Sequence, residues 1–312
     1  MILTLTLNPA VDLYLSVRKL VTDDVNRVLW FRRDPGGKGI NVSRVIREMG
    51  GESIAVCLLG GETGEEIFRN LNATGIWVER IPVEGTTRTN IAIKEEATGR
   101  LIKLNEKGAS VTGRILQTCL KRIERLCHRE DLVALCGSLP PGAPTALYAT
   151  FIRRLRGKGV RILLDADGEV LGEGLRAMPA FIKPKLHELT RLTRRPLRTL
   201  HERLQACRYL LVRGMEGILL SMGKEGALLV SRKGSWLAGT PQVKVGSAIG
   251  AGDSLVGGFL LGLSQKKDLP ESLRLGMACG TATAITPATE LCHRQDVRRF
   301  LPAITLQPIT VA

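Results

Sequence analysis

The sequence is poor in the residues that build metal and disulfide sites. Its 312 residues contain four histidines, scattered, with no HExxH pattern and no Cys/His spacing of a zinc site. The seven cysteines (Cys57, Cys119, Cys127, Cys136, Cys207, Cys279 and Cys292) are an odd number without a CxxC pair. Several stand inside apolar runs such as SIAVCLLG and DLVALCG, and they read as reduced core residues of a reducing compartment. No run reaches the roughly 18 apolar residues of a membrane span. The opening MILTLTLNPAVD carries neither a basic leader nor a small-residue cleavage site and reads as a first buried strand, so a cytoplasmic location without a membrane partner is expected. Acid is also scarce: 30 Asp and Glu against 45 Lys and Arg leave a formal charge of +15. Such an excess suits an acidic partner, or a basic solvated surface around a site for small anions. The charges are spread along the chain. The densest run, RLTRRPLRTLHERL (191–204), has no aromatic ring on which a base could stack, and no zinc-finger, RNP or basic-zipper pattern occurs. Nucleic acid is therefore not the expected partner.

What is present is a globular composition, 44% hydrophobic with mean hydropathy +0.06. Short apolar runs (ILTLTL, SIAVCLLG, DLVALCG, VRILLDA, AFIKP, GILLSMG) mostly alternate with helical patterns such as INVSRVIREMGG and GEEIFRNLNATG. That rhythm predicts an α/β fold with a parallel sheet between helices, long enough for one large domain over 1–312. It breaks at about 11–34 and 76–104, where LYLSV, VNRVLWF, IWVERIPV, TNIAIKE and LIKLN read as strands joined by turns. These predict a small antiparallel sheet standing off the main domain, as a lid over a ligand or a surface for a second subunit.

Two glycine clusters precede helices. AIGAGDSLVGGFLLGL (248–263) is readable as a turn eased by Gly250 and Gly252 and capped by Asp253. It can also be read as an anion site, whose glycines admit a phosphate to unpaired helix N–H groups, and the fragment alone does not decide. DPGGKGINVSR (34–44) adds Lys38, able to neutralise a phosphate, and the amide of Asn41. Neither cluster is a P-loop or a dinucleotide fingerprint. Arg88 in TTRTN offers a fork-shaped ligand for phosphate or carboxylate, Ser138 in CGSLPPG ends a strand where open α/β sheets bind ligands, and Asp12 in NPAVD can accept hydrogen bonds from sugar hydroxyls.

In this order and spacing, TLNPAVD, VNRV, PGGKGINVSRV, TRTN, GSLPPG, SMGKEGALLV and GAGDS resemble the PfkB, ribokinase-like sugar kinases, and within them the phosphohexose kinases, over about residues 1–300. The resemblance implies a three-layer α/β/α sandwich with a mainly parallel central sheet and a β-sheet lid, commonly a homodimer through the lids. It makes Asp253 the catalytic base and Gly250, Ala251 and Gly252 the anion hole. It places Asp12, Gly37 and Asn41 around the sugar hydroxyls. Lys38, Arg88 and Ser138 become ligands of the sugar's existing phosphate, with Arg27 and Lys103 as lid contributors. For ATP it implies Lys183, Lys185 and the Ser221–Gly226 loop through Ser221, Gly223 and Gly226, with Glu188 linked to Mg2+.

Four departures qualify it. Lys185 replaces the asparagine of KPNxxE in KPKLHE; Ala248 stands where Thr or Asn is usual; ATE (288–290) replaces GTE; and LNEKGA (104–109) is unlike familiar lids. The second and third put activation by K+ in doubt. The expected activity is ATP-dependent phosphorylation of a ketohexose phosphate, fructose 6-phosphate before its siblings. GSLPPG and TELCHRQD resemble the minor 6-phosphofructokinases, whereas GGKG and VNRV pull toward the 1-phosphofructokinase and tagatose-6-phosphate kinase branches. A degenerate kinase acting as a phosphate-ligand sensor or nucleic-acid binder is the alternative of another class, suggested by Lys185 and the +15 charge.

Overall fold

The computed structural model describes residues 1–211 and 214–309. The chain begins with β1 (Ile2–Thr6), buried at every residue, then leaves the main body as β2 (Ala10–Val17) and returns as β3 (Val28–Gly36). α1 (Lys38–Glu48), β4 (Ile54–Leu59), α2 (Gly61–Ala73) and β5 (Trp77–Pro82) resume the alternation before a second excursion, β6 (Arg88–Glu95) and β7 (Leu101–Asn105). Then follow α3 (Gly113–Leu126), β8 (Leu132–Cys136), α4 (Leu147–Arg156), β9 (Arg161–Asp165), α5 (Gly168–Arg176), β10 (Phe181–Ile182), α6 (Leu186–Thr193) and α7 (Leu200–Leu210). The last part comprises β11 (Gly217–Ser221), β12 (Ala227–Ser231), β13 (Gly234–Gly239), α8 (Ala251–Ser264), α9 (Leu269–Ile285), α10 (Arg294–Phe300) and β14 (Thr305–Pro308).

The ten-stranded main sheet runs β14-β13-β12-β11-β10-β9-β8-β1-β4-β5. From β11 to β5 every pairing is parallel, and β12 to β14 add an antiparallel margin. Leucine- and isoleucine-rich faces of α3 to α7 cover one side, and α1, α8, α9 and α10 cover the other. This is the parallel sheet between helices expected from the alternation, in the three-layer α/β/α form that the resemblance implies. α8 is buried almost all round because its glycines admit its neighbours: a Cβ on Gly257 would stand 2.9 Å from Val45 Cβ, and one on Gly258 2.8 Å from Gly276 Cα. The helix that carries Asp253 is thereby locked between α1 and α9.

The lid differs from expectation in two ways. Its order is β3-β2-β6-β7, two antiparallel hairpins whose central strands, β2 and β6, pair in parallel. The reason is topological: β2 prolongs β1 and β6 follows β5, and both depart from the same ends of parallel strands. Second, IWVERIPV is not lid. Trp77–Pro82 pairs with β4 as the outermost strand of the main sheet, and the lid resumes only at Arg88. Its exposed, mixed apolar pattern is that of a sheet margin and looks the same in sequence as a lid strand.

Candidate active site

All the parallel strands end at one rim, where open α/β sheets bind ligands. A cavity of about 880 Å³ lies there beneath the lid. The two glycine motifs meet in it as facing helix starts. Gly37, at φ 114, caps α1, and Gly250, at φ 78, caps α8; both conformations favour glycine. Asn41 from the first donates to Asp253 from the second (Nδ2 to Oδ2, 2.9 Å). Behind Asn41, Arg44 reaches its Oδ1 at 3.4 Å and also pairs with Asp34, which is buried and bound by Arg32 and by the Thr289 hydroxyl. This chain fixes which face of the Asn41 amide meets Asp253.

Burial raises the Asp253 carboxyl, and the negative charge of Asp165 adds to it, against Lys38, the Asn41 bond and Lys183; the result is about 6. A carboxylate poised there is basic enough to accept a proton and is ionised at neutral pH. It occupies the first turn of α8, where the N–H groups of Ala251 and Gly252 have no partner within the helix. Of the two readings left open by the sequence, the cap is not what forms: Gly250 stands at the cap position with no side-chain cap hydrogen bond, and the Asp253 carboxylate turns to Asn41 instead.

Across the cavity, Asp12 accepts from Asn90 Nδ2 at 2.9 Å. Its approach requires Gly36, where a Cβ would fall 2.2 Å from Asp12 Oδ2. Burial raises the Asp12 carboxyl despite Asn90, Arg88 and Arg44. Arg88 donates to the Asn8 and Glu106 carbonyls (3.0 and 2.8 Å) and comes within 3.5 Å of Ser138 Oγ. Its buried Nε has no hydrogen-bond partner. Lys38 lines the same cavity, its ammonium on Asp165 Oδ1 at 2.8 Å.

Toward β10 and β11 the rim changes character. Lys183 is 1% exposed and sits 3.2 Å from Asp165 Oδ2, so it lies under the site instead of lining it. Lys185 caps α6, and its backbone N–H donates to Glu188, itself only 4% exposed. Lysine has no oxygen with which to cap the helix, so the N–H that an asparagine at 185 would accept goes without. Asp167, His187 and Glu188 each offer a ligand atom within 4.8 Å of the others. Ser221 bridges to Lys185, and the 223–226 turn is pinned by Arg203 on Glu225 at 2.7 Å. Gly226 is obligatory there, since a Cβ would meet the Ala238 carbonyl at 2.0 Å.

Asp12, Gly37, Lys38, Asn41, Arg88, Ser138, Lys185, Glu188, Gly250 and Asp253 thus line one cavity, while Ser221, Gly223 and Gly226 stand beyond it on the β11 side. Ala251 and Gly252, between Gly250 and Asp253, are not part of the lining and Lys183 lies beneath it; Arg27 and Lys103 are not brought in. Arg27 is exposed just before β3, roughly 20 Å along the strand from Asp34. Lys103 is outside the cavity lining; Asn105, two residues on and opposite Asn90, lines it instead. Sequence reasoning missed Asn90, Asn105 and Asp165. Asn90 follows Arg88 by two on one strand, hence on one face, and Asp165 ends the apolar run RILLD at a strand's carboxyl end; both signals were readable.

The pfkB family carbohydrate kinase profile matches residues 6–295. The chain belongs to that family. Like other pfkB kinases it is an ATP-dependent sugar kinase. It is 33% identical to the 1-phosphofructokinase of Bacillus subtilis over 304 residues, 97% of this chain and 98% of that one. It is 34% identical to the ATP-dependent 6-phosphofructokinase isozyme 2 of Mycobacterium tuberculosis over 300 residues, 96% and 88% of the two chains. The crystal structure of Escherichia coli phosphofructokinase-2 in complex with substrates and products superposes with a TM-score of 0.93 at 29% identity, covering 97% of this pfkB chain and 98% of the other.

Proposed function

We propose that the protein transfers the γ-phosphoryl group of ATP to fructose 6-phosphate at O1, giving fructose 1,6-bisphosphate. The observation that carries this reading is one cavity holding a raised carboxylate at a helix start, Asp253, opposite a hydroxyl-binding pair, Asp12 and Asn90, and a cation–hydroxyl pair, Arg88 and Ser138. Asp12 and Asn90 hold the sugar hydroxyls. Arg88, with Ser138, holds the phosphate already on the sugar. Asp253 takes the proton of the attacking hydroxyl as its oxygen bonds to the γ-phosphorus, and the bridging-oxygen bond breaks with its electrons passing to ADP. The N–H groups at Gly250, Ala251 and Gly252 hold the phosphoryl oxygens as charge shifts, a contribution of roughly 3–4 kcal/mol per donor in comparable anion holes.

The nucleotide lies along the Lys185–Ser221 side and the 223–226 turn. A divalent cation, magnesium in this proposal, would be held by the carboxylates of Glu188 and Asp167, because such an ion takes one or two carboxylates plus ATP oxygens and water; the His187 imidazole beside them is not a ligand type that magnesium prefers. When bound it neutralises charge on the ATP phosphates. Potassium has no proposed role, given Ala248 and Ala288 in the altered motifs.

A second substrate reading has its own support, since the B. subtilis relative is named 1-phosphofructokinase and matches over nearly its whole length. Fructose 1-phosphate yields the same product by phosphorylation at the other end. Release of ADP with MgATP against fructose 6-phosphate, fructose 1-phosphate, tagatose 6-phosphate and fructose separates these. The expected result is the highest kcat/KM with fructose 6-phosphate and little turnover of free fructose. Preference for fructose overturns the role of Arg88 and Ser138.

The working unit is proposed to be a homodimer through the lids. On the outer lid face, Phe31, Leu15, Ile93 and Ile102 align in one cross-strand row, and Leu13, Ile91 and Leu104 in the next. Phe31 is 67% and Leu104 54% exposed. A face of this extent suits a second copy of the same sheet.

A further inference from the structure

We propose that Lys38 is a catalytic cation for the phosphoryl group in transfer, seated there by Asp165, and not a ligand of the phosphate already on the sugar. This rests on the kinase reading above. Lys38 is the first residue of α1, and Gly37, at φ 114, turns the chain so that its side chain enters the cavity. The stem passes over Gly137, where a Cβ would be 3.8 Å from Lys38 Cβ, and Nζ reaches Asp165 Oδ1 at 2.8 Å.

Asp165 is 1% exposed and divides its charge. Its second oxygen faces the ammonium of Lys183, which is as deeply buried and lies beneath the anion loop, 3.7 Å from where a Cβ of Gly252 would stand. One carboxylate therefore holds two ammoniums. One supports the anion loop from behind, and the other, on Lys38, stays partly open to the cavity with 29% of its side chain exposed. The pair keeps a net positive charge beside the path of the phosphoryl group.

Burial works to lower the Lys38 ammonium, but Asp165, Asp253 and Glu188 outweigh it and hold it above the ordinary lysine value. Lys38 is thus a fixed charge that neither gives nor takes a proton. Its carboxylate neighbours are the base and the metal-side glutamate. The phosphate of the sugar has its own donors in Arg88 and Ser138, and the Arg88 Nε is buried without a partner. During transfer the acceptor oxygen bonds to phosphorus, ADP leaves with the electrons of the broken bond, and Asp253 holds the proton. Lys38 donates a hydrogen bond to a non-bridging oxygen throughout.

The test compares the full-length wild type with Lys38→Met, Lys38→Arg and Asp165→Asn, using MgATP and the phosphosugar that wild type turns over best. Wild-type turnover establishes the kinase reading independently; its absence with every phosphosugar overturns that reading, and this proposal with it. With it in place, Lys38→Met is expected to lower kcat by about 10²–10³-fold, as for loss of one preorganised donor, and to leave the phosphosugar KM within about threefold. Lys38→Arg should recover part of kcat.

The acid limb of the pH profile supplies a second readout. The groups facing Asp253 are Asn41 and Lys38 from α1, Asp165 from β9 and Lys183 beyond β10. Removing the Lys38 cation should move the limb to higher pH, and removing the Asp165 anion should move it lower. Both shifts check that these charges sit beside Asp253; the role of Lys38 is decided by the split between kcat and phosphosugar KM. Should Asp165→Asn fail to fold, the two Lys38 variants decide alone. A rise of about tenfold or more in phosphosugar KM at unchanged kcat would return Lys38 to the phosphate already on the sugar and overturn the proposal. An unchanged kcat and KM overturns it equally.

Discussion

At the residue scale, Asp253 meets two opposed demands. In the proposed mechanism it must be anionic to accept a proton, yet it stands where the incoming phosphate would also be anionic. Burial and Asp165 raise its pKa, while Lys38, Lys183 and Asn41 hold it at about 6. The active form is the ionised one, so kcat/KM is predicted to fall as pH drops through about 6 and to be level immediately above it, measured over pH 5–8. An acid limb near the ordinary aspartate value of about 4 would mean that the site is more hydrated than the structure shows. Asp253 stood out as a candidate in the sequence because glycine, carboxylate and helix start are adjacent, and its proposed role as base came from the resemblance. Asp165 could be read only as an acid at a strand end; its pairing with two lysines could not, because they are 127 and 18 positions away. Only the packing of parallel strand ends brings them together.

At the scale of elements, the helix starts and the lid set the site. α1 and α8 begin at positive-φ glycines and face one another through Asn41 and Asp253, and the sequence displays both starts openly. The lid was legible as a break in the rhythm but not in its order. Strand composition does not state pairing direction, and the parallel β2–β6 seam follows from where the two excursions leave the main sheet. Its two faces divide by period 2. Asp12, Asn90 and Asn105 face the cavity, and Leu15, Phe31 and Ile93 face outward. Leu15→Glu and Phe31→Glu place a charge on the outer face only. Each is predicted to convert a dimer to a monomer in analytical ultracentrifugation while leaving the thermal unfolding of the protomer nearly unchanged. A monomeric wild type, or a mass unaffected by both substitutions, contradicts the lid-to-lid assembly.

At the scale of the whole molecule, part of the basic excess that opened two possibilities lies on one helical layer. The solvent faces of α3, α4, α6 and the segments beside them present Arg114, Lys121, Arg125, Arg153, Arg194 and Arg198. The other helical layer is dominated by the glycine-seamed packing of α8 and α9, which a sequence window reads merely as hydrophobic. That packing holds the first turn of α8 rigid, so the chemistry assigned to it should depend on one side-chain atom and not on the loop's flexibility. The measurement that tests this most directly is turnover of Asp253→Asn with MgATP and the preferred phosphosugar, beside its ATP affinity and melting temperature. The account predicts a loss of about 10²–10⁴-fold in kcat, with ATP binding and stability retained. A variant that keeps most of its turnover would contradict Asp253 as the base and, with it, the mechanism built on this cavity.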